Sequence, residues 1–250
     1  FRFDGVKLAT EAVRNGLSIP LILLRESNAG TVRERLAQET GRSVSACAER
    51  VLTLSDGVFD KISEEKSPEG VICVAKYLDK CKKIATIYSD GKIPGTGETV
   101  VLLESVRDPA NVGAIIRSAA AFGVDRLILS EDCADVYNAK AVRASMGTLF
   151  GQTVDRVGDL RGVIGQLRAN GRRVFAAALD ERAQRLGEFD VHAGDCVVIG
   201  NEGHGLSAAV LDAADERVFI PMSGRAESLN AAVAASVLMW EFAKKTGRRT

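Results

Sequence analysis

The chain has 250 residues, 46% hydrophobic and 26% charged, with 33 basic residues against 33 acidic ones. That suffices for one large or two modest domains. The zero net charge speaks against a large non-specific electrostatic footprint on nucleic acid, although it leaves room for a local basic patch. No apolar run approaches the ~20 residues that cross a bilayer and no signal peptide is evident, so no membrane association is expected, while the odd, scattered cysteines predict a reducing, cytoplasmic location. Because the chain opens at Phe1 without a methionine, native residues are expected to precede it.

In chain order, the first part, residues 1–78, alternates helical and extended patterns. Helices are predicted over 6–15, 31–40 and 55–62, and strands over 21–24, 50–54 and 70–75. Residues 79–98 read as a linker, charged at first and then rich in turn residues from Asp90 to Gly97. Such a linker predicts few contacts between the parts it joins, so a chain lacking residues 1 to about 90 should still fold. From residue 99 onward, apolar runs at 100–103, 127–129, 174–178, 197–199 and 218–220 lack period-two alternation, as expected of parallel strands covered on both faces. Helices between them, over 112–122, 140–145, 159–170, 207–213 and 229–245, give an α/β doubly wound parallel sheet.

The cysteines Cys47, Cys73, Cys81, Cys133 and Cys196 are scattered, and only His192 and His204 accompany them. Structural thiols and the absence of a metal site are expected. Basic clusters occur at Arg33 and Arg35, at Lys80 to Lys83, at Arg172-Arg173 and in the tail from Lys244 to Arg249; most are expected to be solvated faces.

Three segments concentrate the chemistry. The first follows the strand at 100–103 and runs Arg107-Asp108-Pro109-Ala110-Asn111-Val112-Gly113-Ala114-Ile115-Ile116-Arg117. Asp108-Pro109 favours a turn, Asn111 can cap the helix, and Arg117, under two turns in, can reach the crevice at the strand tip. The second, Val197-Val198-Ile199-Gly200-Asn201-Glu202-Gly203-His204-Gly205-Leu206-Ser207, takes another buried strand into a Gly-rich loop. The third joins Phe219-Ile220-Pro221-Met222 to Glu227-Ser228-Leu229-Asn230 and the small-residue helix from Ala231.

Together these segments resemble the signature motifs of the SpoU (TrmH) family of RNA ribose 2′-O-methyltransferases, of the SPOUT class. The resemblance implies a C-terminal trefoil knot around residues 197–235, which strand spacing alone does not reveal. It implies S-adenosylmethionine (SAM) as cofactor, held by groups at Gly200, Ile220 and Leu229, with Leu179 a weaker candidate. Arg117 takes the place of the arginine assigned to activating the ribose hydroxyl. A guanidinium of pKa ~12.5 or more is a poor base, so stabilisation of the developing oxyanion or of a neighbouring phosphate stands beside proton removal. Asn111, Glu202, Ser228 and Asn230 match the remaining motif positions. Glu202 could anchor backbone amides or Arg117, and Ser228 could equally be a helix cap. Arg143, in a segment that also resembles the family, is a candidate RNA contact, and His204 reads as a loop residue.

Val58 to Ser63 and Ser67 to Val71 resemble the end of the small ribosomal-protein-like α/β substrate-binding domain that precedes many of these catalytic domains. This implies RNA as partner, 23S-type ribosomal RNA ahead of transfer RNA. A homodimer paired through the knotted domains is implied too, with Met239, Trp240 and Phe242 as an apolar patch. The competing readings are a tRNA 2′-O-methyltransferase and a non-catalytic RNA-binding or ribosome-assembly factor. A dinucleotide oxidoreductase lacks its fingerprint, since no G-x-G-x-x-G follows an early strand.

Overall fold

Two sheets organise the chain. The computed structural model describes residues 1–84, 93–201 and 203–245. The first sheet contains β1 (Arg2–Asp4), β2 (Leu21–Arg25), β3 (Arg50–Leu54) and β4 (Val71–Val74), with helices α1 (Val6–Arg14), α2 (Ala29–Thr40) and α3 (Asp56–Ile62). Its order is β1-β4-β2-β3, and only the β2–β3 pair is parallel.

The second sheet has eight strands. They are β5 (Cys81–Ile84), β6 (Val100–Leu103), β7 (Arg126–Ser130), β8 (Thr153–Val157), β9 (Val174–Ala177), β10 (Gln184–Arg185), β11 (Cys196–Ile199) and β12 (Glu216–Phe219). The interleaved helices are α4 (Pro109–Ala121), α5 (Ala139–Ala144), α6 (Leu160–Ala169), α7 (Ala208–Ala213) and α8 (Ala231–Lys245). The order is β10-β12-β9-β11-β6-β7-β8-β5, and every neighbouring pair is parallel. Helices cover both faces, which is why the strand runs are continuously apolar. Val101, Leu103, Val197 and Ile199 pack in one core with Ile115 and Ile116 of α4 and Leu238 and Met239 of α8. The alternate residues Val100, Leu102, Cys196 and Val198 pack with Val163, Ile164 and Leu167 of α6.

Strand β8 was hidden from periodicity by its centre, Asp155-Arg156. Asp155 is only 2% exposed, and Arg126 of β7 reaches it with a 2.5 Å ion pair. Arg156 donates to the carbonyls of Glu131 and Cys133. Strand β5 lies within the stretch expected to be linker: it adds in parallel to the open edge of β8. Strands β1 and β10 are three and two residues long, too short for any period to register.

The two parts meet through an aromatic cluster, contrary to the few contacts that the linker composition suggests. Phe1 lies 4.7 Å from Tyr137 and Phe3 lies 5.1 Å from Phe150, centroid to centroid. Tyr77 closes on Tyr137 edge-on at 4.7 Å, and the Tyr137 hydroxyl accepts from the Leu78 amide. Gly147, at φ 89°, leaves room for α1: a Cβ there would sit 2.6 Å from the Cβ of Glu11. Arg143, expected toward RNA, lies 3.7 Å from Glu65 across this seam.

Two other expectations change. Met239 and Phe242 are buried in the core at 1% and 4% exposure, because they lie on the sheet-facing side of α8; only Trp240 is exposed. Arg172, read as part of a surface basic cluster, is also buried. Its guanidinium donates to the carbonyls of Pro94, Gly95, Glu98 and Gly194, tying the approach to β6 against the turn before β11. Its neighbour Arg173 pairs with Asp195.

The aromatic seam makes truncation costly. A chain lacking residues 1–90 loses β5 and uncovers Tyr137 and Phe150, each an aromatic of large buried area. Its melting temperature should fall by at least about 5 °C, with binding of a hydrophobic dye. An unchanged melt without dye binding would show that the seam contributes little.

Candidate active site

Because all eight strands run one way, their C-terminal ends line a single edge, where open α/β sheets place ligands. A cleft of about 270 Å³ opens there beyond β9, β11 and β12. Gly200, Ile220, Leu229 and Leu179, the four positions expected at the cofactor, all line it. Ile199, Val218 and Leu238 give it an apolar floor, and Leu179 stands 76% exposed at its mouth.

The helix that bears Arg117 starts one turn earlier than expected. Asp108, not Asn111, is its N-cap and accepts from the Ala110 amide at 2.9 Å, with Pro109 in the first helical position. Asn111 lies inside α4 and is only 8% exposed. Its Oδ1 accepts from the Nδ2 of Asn230 at 2.9 Å. Asn230 also caps α8, its Oδ1 accepting from the amides of Ala232 and Val233. The capping role considered for Ser228 therefore belongs to Asn230, and Ser228 lies in the cleft wall instead. Further along, the Ser118 and Ser236 hydroxyls meet at 2.8 Å. Ser236 donates to the Ala232 carbonyl, so its single proton is spent and Ser118 is the donor between the helices.

The Gly-rich loop is closed by a residue that sequence reading passed over. Asn201 exchanges backbone hydrogen bonds with Gly205 and accepts the Gly203 amide on its side-chain oxygen. Its Nδ2 donates to the Ser105 carbonyl at 2.8 Å, so the second motif is fastened to the first. Ser105 has φ 56°, an uncommon conformation for a side-chain-bearing residue. Its amide donates to the Ser130 hydroxyl and its own hydroxyl to Asp132. Burial opposes ionisation of Asp132, but hydrogen bonds from Ser105, Ser130 and Arg107 hold its carboxyl below the ordinary range. The available signal was an asparagine directly after a glycine in a Gly-rich run, a composition suited to side-chain-closed turns.

Arg117 is exposed on α4 and makes no ion pair among the described residues. Glu202 lies outside the described residues. His204 is an exposed loop residue whose amide donates to Asn201. Among the described residues no three His, Cys, Asp or Glu side chains converge as a metal site. All five cysteines are free thiols. Burial raises the pKa of Cys133 and pushes Cys196 up to about 11, leaving both as protonated thiols.

These features define an α/β protein with an apolar cleft at the tips of a parallel sheet and an exposed arginine on the adjoining helix. Residues 98–240 match the SpoU rRNA Methylase family. The chain is 32% identical to the 23S rRNA (guanosine(2553)-2′-O)-methyltransferase RlmP of Bacillus subtilis, over 96% of this chain and 94% of that one. It resembles the SpoU methyltransferase AviRb from Streptomyces viridochromogenes in complex with the cofactor AdoMet, at 28% identity and TM-score 0.75, covering 98% of this chain and 89% of that one. An AdoMet-bound rRNA methyltransferase from Sinorhizobium meliloti gives 29% identity and TM-score 0.78, covering 98% and 87%. The protein belongs to the SpoU rRNA methylase family.

Gly200 is required by close approach. A Cβ there would lie 2.4 Å from the carbonyl carbon and oxygen of Gly205, whereas one on Gly203 meets nothing nearer than 3.4 Å. Gly200→Ala should therefore cost about 1–3 kcal/mol of stability in denaturant unfolding. Gly203→Ala should stay within about 0.5 kcal/mol of the parent. Equal effects would show that the loop is not held as described.

Proposed function

We propose that this protein transfers the methyl group of SAM to a ribose 2′-hydroxyl of 23S-type ribosomal RNA. The observation that carries the reading is the Asn230–Asn111 hydrogen bond, which joins the wall of the apolar cleft to the helix bearing Arg117. Donor site and acceptor-activating residue are thereby held by one contact. The cleft suits the donor: apolar walls match an adenosine, and the lining residues Gly200, Ile220 and Leu229 supply backbone groups for its polar edges. Bound there, SAM supplies an electrophilic methyl on a positively charged sulfur.

The protein's part is positioning and charge. Asn111 and Asn230 fix the first turn of α4 against α8. Ser228 offers a hydroxyl on the cleft wall. Arg117 stabilises the oxygen as its proton leaves, a task that suits a permanently charged planar donor better than proton abstraction does. Ribosomal RNA is favoured over transfer RNA because the similarity to the B. subtilis enzyme runs through the N-terminal part as well. Residues 1–78 would then supply RNA recognition. The chain between 197 and 235 is assigned the family's trefoil knot. The enzyme pairs with a second copy through α4 and α8, where Trp240, 55% exposed, packs on Phe122 at 5.8 Å. A soluble, cytoplasmic setting accords with the substrate.

Arg117→Ala should leave SAM affinity unchanged in calorimetry and lower single-turnover methylation on the order of 10²–10³-fold. Arg117→Lys should recover little, because an ammonium does not reproduce the guanidinium fork. Near-normal methylation by the alanine variant would overturn the mechanism. Joint loss of SAM binding would move Arg117 to cofactor retention.

A further inference from the structure

Among the described residues lining the cleft, Glu227 alone carries a charge. The others near it are apolar or neutral: Met222, Ile220, Ser228 and Leu229. Glu227 makes no hydrogen bond or ion pair with the described residues, so its carboxylate is not consumed in holding the loop. In this it differs from other acids at the same edge. Glu104 is bound by the amide and hydroxyl of Ser207, Asp108 caps α4, and Asp180 pairs with Arg217.

Resting on the reading that SAM occupies this cleft, we propose that Glu227 recognises the positive charge of the donor's sulfonium and so distinguishes SAM from the demethylated product. The placement supports this. Glu227 is three residues from Asn230, whose side chain reaches Asn111 on α4. The cleft wall that bears the carboxylate is thus the wall fastened to the helix of Arg117. The reacting sulfur has to lie on that side for its methyl to meet the acceptor oxygen. Methyl transfer breaks the carbon–sulfur bond and returns its electron pair to sulfur, so the cation becomes a neutral thioether. A carboxylate beside that sulfur attracts the substrate and loses its attraction once the product forms. Glu227 is itself exposed, so this attraction is one that salt screens. Both SAM and S-adenosylhomocysteine keep the amino-acid ammonium, so only a contact at sulfur separates them.

The test is the affinity of the full chain and its Glu227→Gln variant for SAM, S-adenosylhomocysteine and sinefungin, whose amine restores a positive charge near the sulfur position. SAM binding by the parent protein tests the underlying reading on its own. Glu227→Gln should weaken SAM and sinefungin by about fivefold to tenfold and leave S-adenosylhomocysteine within twofold. The parent's preference for SAM should also shrink between 0.05 and about 0.5 M salt, and the variant's should not. Equal weakening of all three would place Glu227 on the shared ammonium or in cleft shape and overturn the proposal, as would no weakening at all. Circular dichroism and a melt on the variant separate either result from misfolding, and Glu227→Asp, which keeps the charge, should retain part of the preference.

Discussion

One side chain sets the relation between the two halves of the site. Asn230 caps α8 with its oxygen and reaches Asn111 with its amide nitrogen, so the end of one motif is also the anchor of another. A serine or aspartate could cap the helix equally well. Neither carries an acceptor and a donor on one planar group, and the second function demands both. The Ser118–Ser236 contact repeats the link further along the same helix pair. The packing of α4, which carries Arg117, against α8 is thus set by polar contacts with defined partners, which is more selective than apolar packing alone.

The second fastening lies across the sheet tips. Asn201 closes the Gly-rich loop and at the same time holds the Ser105 carbonyl, while Ser130 and Asp132 hold the rest of Ser105. A residue at φ 56° persists only where its surroundings over-determine it, and here the ends of β7 and β11 do so. The loops that form the site are consequently referred to one another as well as to the sheet.

Much of this was legible in the chain. Five apolar runs without alternation marked the central strands, and the second and third motifs marked the cleft, whose four expected cofactor positions do come together, while the first motif joins it through Asn111. What stayed hidden has a common cause: side chains whose meaning depends on a distant partner. Asp155 reads as a loop residue until Arg126 is beside it, and Arg172 reads as surface until four carbonyls surround it. Asn111 looked like a cap because its sequence neighbours permit it, yet Asp108 occupies that role one turn earlier. Similarly, residues 79–98 have linker composition, but Cys81–Ile84 found an open strand edge. The burial of Met239 and Phe242 followed from which side of α8 faces the sheet, and a uniformly apolar helix does not announce that.

Strand order has a consequence in time. β6 sits between β7 and β11, and β11 in turn separates it from β9. During synthesis β6 and β7 leave the ribosome early, while β11 lies more than ninety residues behind. At about 5–20 residues per second, β6 waits roughly five to twenty seconds with one apolar edge unpaired. The Arg172 clamp on residues 94–98 is likewise absent until the chain has passed β8. The half-made sheet is therefore a natural client for a chaperone, and the vulnerable surface of this protein belongs to its nascent form.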